Sequence, residues 1–258
     1  EKFSGATGTF SAHVATDPTR DWAALSASFI EGLGLEWNPL TTQIESHDGV
    51  AHVLSAVSHV NRILHNLCTD VWTYISLGYL TQIPEPGATG SSTMPHKINP
   101  IRFENAEANF ELSCALLDSL ASTLVTSRLQ RDLTDSTTQR NLGVALGHSL
   151  LALSNVAKGL TEIALNRELL AADLEANQEV LAEAIQTVIR SEIVQGRSSI
   201  EDPYAVVKEL TRGNKLDQEA LQEFVAGLDI SPEAKKSLSE LTPQGYVGLA
   251  AALVDHLR

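Results

Sequence analysis

The 258-residue sequence is 43% hydrophobic, enough to bury one large core or two modest ones. Its formal charge of −14, with no stripe of Lys and Arg to offset it, argues against nucleic-acid binding. Cys68 and Cys114 fall on helical apolar periods with no neighbouring cysteine, so buried thiols in a reducing cytoplasm are expected rather than a disulfide or a metal site.

In chain order, Asp21 reads as a cap for a short helix marked by Trp22, Leu25, Phe29 and Leu33 and stopped near Gly34. Asp48 opens a longer one, in which Val53, Val57, Val60, Leu64, Leu67, Val71 and Ile75 step by three and four residues. The stripe returns as Phe103, Ala106, Phe110, Cys114, Leu117, Leu120 and Leu124, and again as Leu142, Leu146, Leu150, Leu153, Val156, Leu160 and Ile163. His148, Asn155, Lys158 and Glu162 interrupt the last, the most apolar segment, and argue against membrane insertion. No run alternates like a strand, so the expected fold is all-α. A helix of about 30 residues is roughly 45 Å long, longer than a compact monomer of this size needs. Apolar residues off the stripes, Val50, Ile63, Trp72, Leu112, Leu116, Leu151 and Leu165, point to further buried faces and to self-association. From Arg167 the expected helices shorten, with breaks at Pro203, Gly213, Gly227, Pro232 and Pro243, and 190–203 reads as a solvated loop. The expected organisation is a long-helix bundle over 1–166 and a smaller helical domain over 167–258.

Chemistry concentrates in Gly90-Ser91-Ser92-Thr93-Met94-Pro95-His96-Lys97-Ile98-Asn99-Pro100. Gly87 and Gly90 suit a flexible loop, Asn99 reads as an N-cap and Pro100 as the first helical residue, so free backbone N–H groups and the Lys97 cation are available to an anion. Such a site stabilises a serine alkoxide that water does not. Arg102, Arg128, Arg131 and Arg140 are the other cations able to overcome the global negative field. Ser136 and Gln139 have the spacing of a capping box at another helix start, where flanking arginines suit a phosphate.

The 90–100 string resembles the signature loop of the superfamily of fumarase, aspartase, argininosuccinate lyase and adenylosuccinate lyase, and its Thr-Met-Pro-His variant resembles that of adenylosuccinate lyases and related cycloisomerases. Trp37-Asn38-Pro39-Leu40-Thr41-Thr42-Gln43-Ile44-Glu45-Ser46-His47-Asp48 and Gln130-Arg131-Asp132-Leu133-Thr134-Asp135-Ser136-Thr137-Thr138-Gln139-Arg140-Asn141-Leu142-Gly143 narrow the resemblance to bacterial-type adenylosuccinate lyases. Lys2-Phe3-Ser4-Gly5-Ala6-Thr7-Gly8 and Glu209-Leu210-Thr211-Arg212-Gly213 extend it along the chain.

The resemblance implies elimination of fumarate from adenylosuccinate and from the succinyl-aminoimidazole-carboxamide ribotide of purine biosynthesis, in a cytoplasmic homotetramer with shared active sites and with neither metal nor organic cofactor. It implies Ser91 as the catalytic base, with Ser92 contacting substrate. Lys97 and Asn99 would meet the carboxylate that gathers charge, Gln43 and Asn105 the substrate, and Arg131, Ser136 and Arg140 the nucleotide. The family's general acid belongs to a Thr-His-Gly segment that this sequence lacks, so His47 and His96 receive no catalytic role and the isolated sequence is expected to be inactive. Its sole methionine being Met94, the sequence reads as the C-terminal portion of an enzyme. An argininosuccinate lyase or fumarase has no nucleotide phosphate for the 131–140 segment to hold, and a non-catalytic helical scaffold has no need of Ser91, Lys97 and Asn99 together.

Overall fold

The computed structural model describes residues 1–83, 99–211 and 217–257. Contacts divide the chain into two compact units, Glu1–Ala164 and Leu165–Arg258.

In the first unit two short helices, α1 (Ser11–Thr16) and α2 (Trp22–Gly32), precede the long α3 (Asp48–Ser76). The strand β1 (Leu80–Gln82) follows, then α4 (Ile101–Leu124), the short α5 (Thr134–Thr138), a 3₁₀ turn at Gln139–Asn141 and α6 (Leu142–Thr161). β2 (Ile163–Leu165) pairs with β1, and the Ile83 N–H donates to the Glu162 carbonyl beside that pair. Apart from these two strands the regular structure of the described residues is helical, as the all-α expectation has it; the last apolar stripe leaves the helix at Thr161, and three residues are too few to display a period of two. The Asp21 side chain caps α2 by accepting from the Ala24 N–H at 2.9 Å. Gly34, at φ +76°, closes it with the paired bonds Leu35 N–H to Ile30 O and Gly34 N–H to Glu31 O.

α4 lies between α3 and α6 and packs on both. Its predicted stripe is the one that faces inward, with Phe103, Ala106, Phe110, Leu117, Leu120 and Leu124 all buried. α3 and α6 differ from expectation. α3 buries Leu54, Ser58, Asn61, Cys68 and Val71, leaving Val53, Val60 and Leu67 exposed; α6 buries Ala145, Ser149, Ala152, Val156 and Gly159, leaving Leu146, Leu150, Leu153 and Leu160 outside. Small inward residues let the axes approach closely. An added Cβ at Gly159 would stand 2.8 Å from the Phe103 ring. Two apolar clusters result, one around Phe103, Phe110 and Cys68, the other around Leu54, Leu117 and Leu120. Burial pushes the Cys68 thiol up to about 11, so it is an inert core group.

The second unit contains α7 (Arg167–Ala176), a 3₁₀ turn at Gln178–Leu181, α8 (Ala182–Val194), α9 (Pro203–Thr211), α10 (Gln218–Gly227), α11 (Pro232–Ser239) and the terminal α12 (Ala250–Leu253) with its 3₁₀ extension. Leu181, Ile185, Ile189, Leu221, Val225 and Leu238 lead its core. The expected solvated loop over 190–203 is helical to Val194 and then anchored. Gly196 turns the chain at φ +67°, the Arg197 N–H returns to the Glu192 carbonyl at 2.9 Å, and its guanidinium bonds the buried Glu192 carboxylate. The Glu192 Oε2 also accepts the Ser231 N–H at 2.9 Å, tying α8 to the start of α11. Arg197 first, then Ser231, hold this carboxyl down at about 2. Among the described residues no helix is long and apolar enough to cross a membrane.

Candidate active-site segments

Of the residues singled out in the sequence, Ser91, Ser92 and Lys97, with His96, lie outside the described residues. Asn99 is exposed just before α4. It is not the N-cap. Pro100 occupies that place, its carbonyl accepting from the Phe103 and Glu104 N–H groups at 3.0 and 3.1 Å, while the Asn99 carbonyl takes the Ile101 N–H at 2.8 Å. Pro100 has ψ 56°, outside the helical range, so the helix begins one residue later than the Asn-Pro pair suggests.

Gln43 sits in a segment braced from three sides. The Lys2 ammonium donates to the Gly5 and Gln43 carbonyls at 2.6 Å each and to the Thr42 carbonyl at 3.3 Å. Gly8 comes so close that an added Cβ would meet the Thr41 carbonyl oxygen at 2.1 Å. The Gln43 N–H donates to the Gln130 carbonyl at 3.3 Å, joining this segment to the one that carries Arg131 and Arg140. Lys2 and Gly8 had only a motif match as a sequence signal; their role as braces depends on contacts about 40 residues away.

In the 130–140 segment, Asp132 accepts the Thr134 N–H at 2.9 Å just ahead of α5, which has Leu133 as its N-cap and begins at Thr134, so Ser136 lies inside it. The expected capping box is therefore absent, and Gln139 turns its amide onto His47 instead. Arg131 pairs with Asp135 at 3.4 Å, and Arg128 with Asp132 at 3.1 Å. Bonds from Thr134 come first among the causes holding the Asp132 carboxyl below its usual range. Arg140 is exposed in the 3₁₀ turn, with no acidic partner among the described residues. Arg102 is engaged by Glu162 at 3.3 Å.

A sequence profile described as "Lyase" matches residues 1–111, and one described as "Adenylosuccinate lyase C-terminal" matches 127–247. Adenylosuccinate lyase of Escherichia coli K12 is 48% identical over 257 residues, covering 100% of this chain and 55% of the relative. That of Legionella pneumophila strain Corby is 51% identical over 253 residues, covering 98% and 54%. The chain belongs to the adenylosuccinate lyase family. It spans about half the length of these curated relatives. The enzyme of Dictyostelium discoideum is 44% identical over 96% of the chain. Among solved structures, 3-carboxy-cis,cis-muconate lactonizing enzyme of Pseudomonas putida superposes with a TM-score of 0.67 over 99% of this chain and 56% of its own, at 19% identity, a likeness of fold alone.

In this member of the adenylosuccinate lyase family, Asn105 projects from the first turns of α4 with its amide direction set by its neighbours. Its Oδ1 accepts from Asn155 Nδ2 at 2.9 Å and from Asn109 Nδ2 at 3.1 Å, and Asn109 Oδ1 in turn receives His148 Nδ1–H at 2.8 Å. With Oδ1 occupied twice, the Asn105 NH₂ is the end left for a ligand's acceptor. His148, which the sequence marked only as an interruption of the α6 stripe, is half-buried and orients Asn109.

Proposed function

We propose that the protein carrying this chain is an adenylosuccinate lyase that releases fumarate from adenylosuccinate, giving AMP, and from succinyl-aminoimidazole-carboxamide ribotide in purine biosynthesis. Near-half identity to adenylosuccinate lyases over essentially the whole chain carries this reading. The reaction requires removal of a proton from carbon beside a carboxylate, stabilisation of the resulting aci-carboxylate and protonation of the departing nitrogen. Ser91 takes the first task, and Lys97 with Asn99 the second. Gln43 meets the succinyl part near its nitrogen, Ser92 and Asn105 contact the substrate, and Arg131, Ser136 and Arg140 hold the phosphate. The roles of Ser91, Ser92 and Lys97 rest on the family motif. For the others, the bond from Gln43 N–H to Gln130 and the donor face of Asn105 are compatible with these tasks.

The exposed leucines of α6 and valines of α3 support a homotetramer, in which these faces are covered by further copies and active sites are shared. The cytoplasm is the compartment in keeping with a nucleotide substrate and with Cys68 and Cys114 as free thiols. The test is expression of the complete reading frame and chromatographic measurement of AMP and fumarate formed from adenylosuccinate. Turnover of argininosuccinate or malate without turnover of adenylosuccinate would overturn the assignment.

A further inference from the structure

We propose that His47 is a positioning residue, a strut that fixes the Gln43 and Arg140 parts of the substrate site relative to each other; the proposal rests on the functional reading above. His47 stands at the N-cap of α3 but does not cap it: no side-chain bond reaches the first N–H groups of the helix. It adopts φ +60°, a left-handed conformation that a residue with a Cβ takes at a cost. It is also buried, at 6% exposure. Its imidazole is directed away from the helix start.

Its role follows from its bonds. The Glu45 carbonyl, which can only accept, lies 2.9 Å from Nδ1, so Nδ1 carries the hydrogen. Nε2 is then the acceptor and receives the amide N–H of Gln139, 92 residues away in sequence. The Glu45 carboxylate stands behind this arrangement, Oε2 accepting the His47 backbone N–H at 2.9 Å and Oε1 lying 3.2 Å from Nδ1. Gln139 opens the 3₁₀ turn in which Arg140 is the next residue, and Gln43 lies four residues before His47. One buried ring thus joins a segment assigned to the succinyl end with a turn assigned to the phosphate end.

Two substitutions in the full-length enzyme separate this role from mere support of a left-handed turn. Asn tolerates φ > 0 and reproduces the Nδ1 bond but stops short of Gln139, whereas Gln reaches Gln139 and suits the turn less well. For His47→Asn we expect KM for adenylosuccinate to rise about fivefold, as for one lost hydrogen bond, with Ki for inorganic phosphate, which engages one end only, unchanged. His47→Gln should keep KM nearer wild type despite a lower Tm. Gln139→Leu should repeat the KM effect and add nothing to His47→Asn. A wild-type KM in His47→Asn, or KM values that merely follow Tm, would overturn the strut. A wild-type enzyme without turnover would refute the activity reading instead; the strut is then read from amide exchange over 43–47 in Gln139→Leu, where exchange as slow as in wild type would overturn it.

Discussion

Asn61 of α3 accepts a 2.8 Å hydrogen bond from the Ser149 hydroxyl of α6 in the interior of the first unit, where both residues are buried. Asn61 Nδ2 donates to Ser113 of α4 at 3.0 Å, and the Ser113 hydroxyl donates to the Ala145 carbonyl at 2.8 Å. Three helices therefore share one polar link. A bonded polar group at a helix seam contributes less to stability than to register, because it cannot slide without leaving partners unsatisfied.

Asn61→Ala leaves the Ser149 hydroxyl without its acceptor and takes one donor from Ser113, whose own bond to the Ala145 carbonyl persists, so it should destabilise the chain by about 1 to 3 kcal/mol, summing a small cavity and one unpaired buried hydroxyl. Urea denaturation followed by circular dichroism measures this. A loss below roughly 0.5 kcal/mol would mean that the hydroxyl finds another partner at little cost.

Gly159→Ala sets two effects of opposite sign against each other. Helix propensity alone favours Ala by about 1 kcal/mol. The new Cβ would meet Phe103 Cζ at 2.8 Å and Arg102 Cβ at 3.0 Å, and Phe103 is buried on all sides at 2% exposure. Overpacking of roughly 1 to 3 kcal/mol should prevail, giving net destabilisation. A raised Tm would show that α6 can shift away from α4 freely.

The Glu192 carboxyl gives the second unit a defined acid sensitivity. Its folded pKa of about 2 lies below the ordinary 4.5, so the carboxylate form is favoured by folding. The associated stability is present above pH 4.5 and is lost as pH falls from there through about 2. Asp229, held low chiefly by bonds from Ser199, acts in the same direction. Denaturation midpoints between pH 7 and 2 should fall less steeply in Glu192→Gln than in the parent. Identical acid slopes would assign the sensitivity to other groups.

The architecture was legible in the sequence wherever the inward side chains are large and apolar. The α4 stripe is an example, with Phe103, Phe110 and Leu117 all in the core. It was misread on α2, α3 and α6. Ser26 and Ile30 face inward where Leu25 and Phe29 were expected, and Ala145, Ser149 and Ala152 face inward where Leu146, Leu150 and Leu153 were expected. Hydropathy marks burial in any setting, including surfaces that only another molecule covers, so the strongest stripe need not be the one the chain buries itself. The candidate site was legible as motifs because residue type and local order survive in a string. Its connections were not: nothing local to Gln139 announces His47, and nothing local to Lys2 announces the carbonyls of Thr42 and Gln43.

Those outward leucines make a direct prediction about assembly. Leu146 and Leu150, four residues apart on α6, are 42% and 66% exposed. The chain should sediment as an oligomer at micromolar concentration, and the double substitution Leu146→Glu, Leu150→Glu should yield a monomer with unchanged helical circular dichroism, since neither side chain belongs to the core. A parent chain that is monomeric under these conditions would count against the shared helical core.

Kinetics on the complete enzyme distinguish the two ends of the proposed site. Ser91 acts only as the proton leaves carbon, so Ser91→Ala should lower kcat by at least roughly 10²-fold while leaving substrate affinity largely intact. Arg140, exposed in its turn, is assigned to a phosphate that does not react. A contact made equally in ground and transition states changes KM more than kcat, so Arg140→Ala should raise KM by about tenfold, the equivalent of one charge-assisted hydrogen bond. Its effect on kcat should be smaller, limited to whatever orientation the phosphate grip lends the succinyl end. Calorimetric binding of adenylosuccinate to Ser91→Ala, beside steady-state kinetics on both variants, resolves the two contributions. A Ser91→Ala enzyme that retains most of its kcat would remove the base from the mechanism, and an Arg140→Ala enzyme impaired in kcat alone would move Arg140 from the phosphate to the reacting centre.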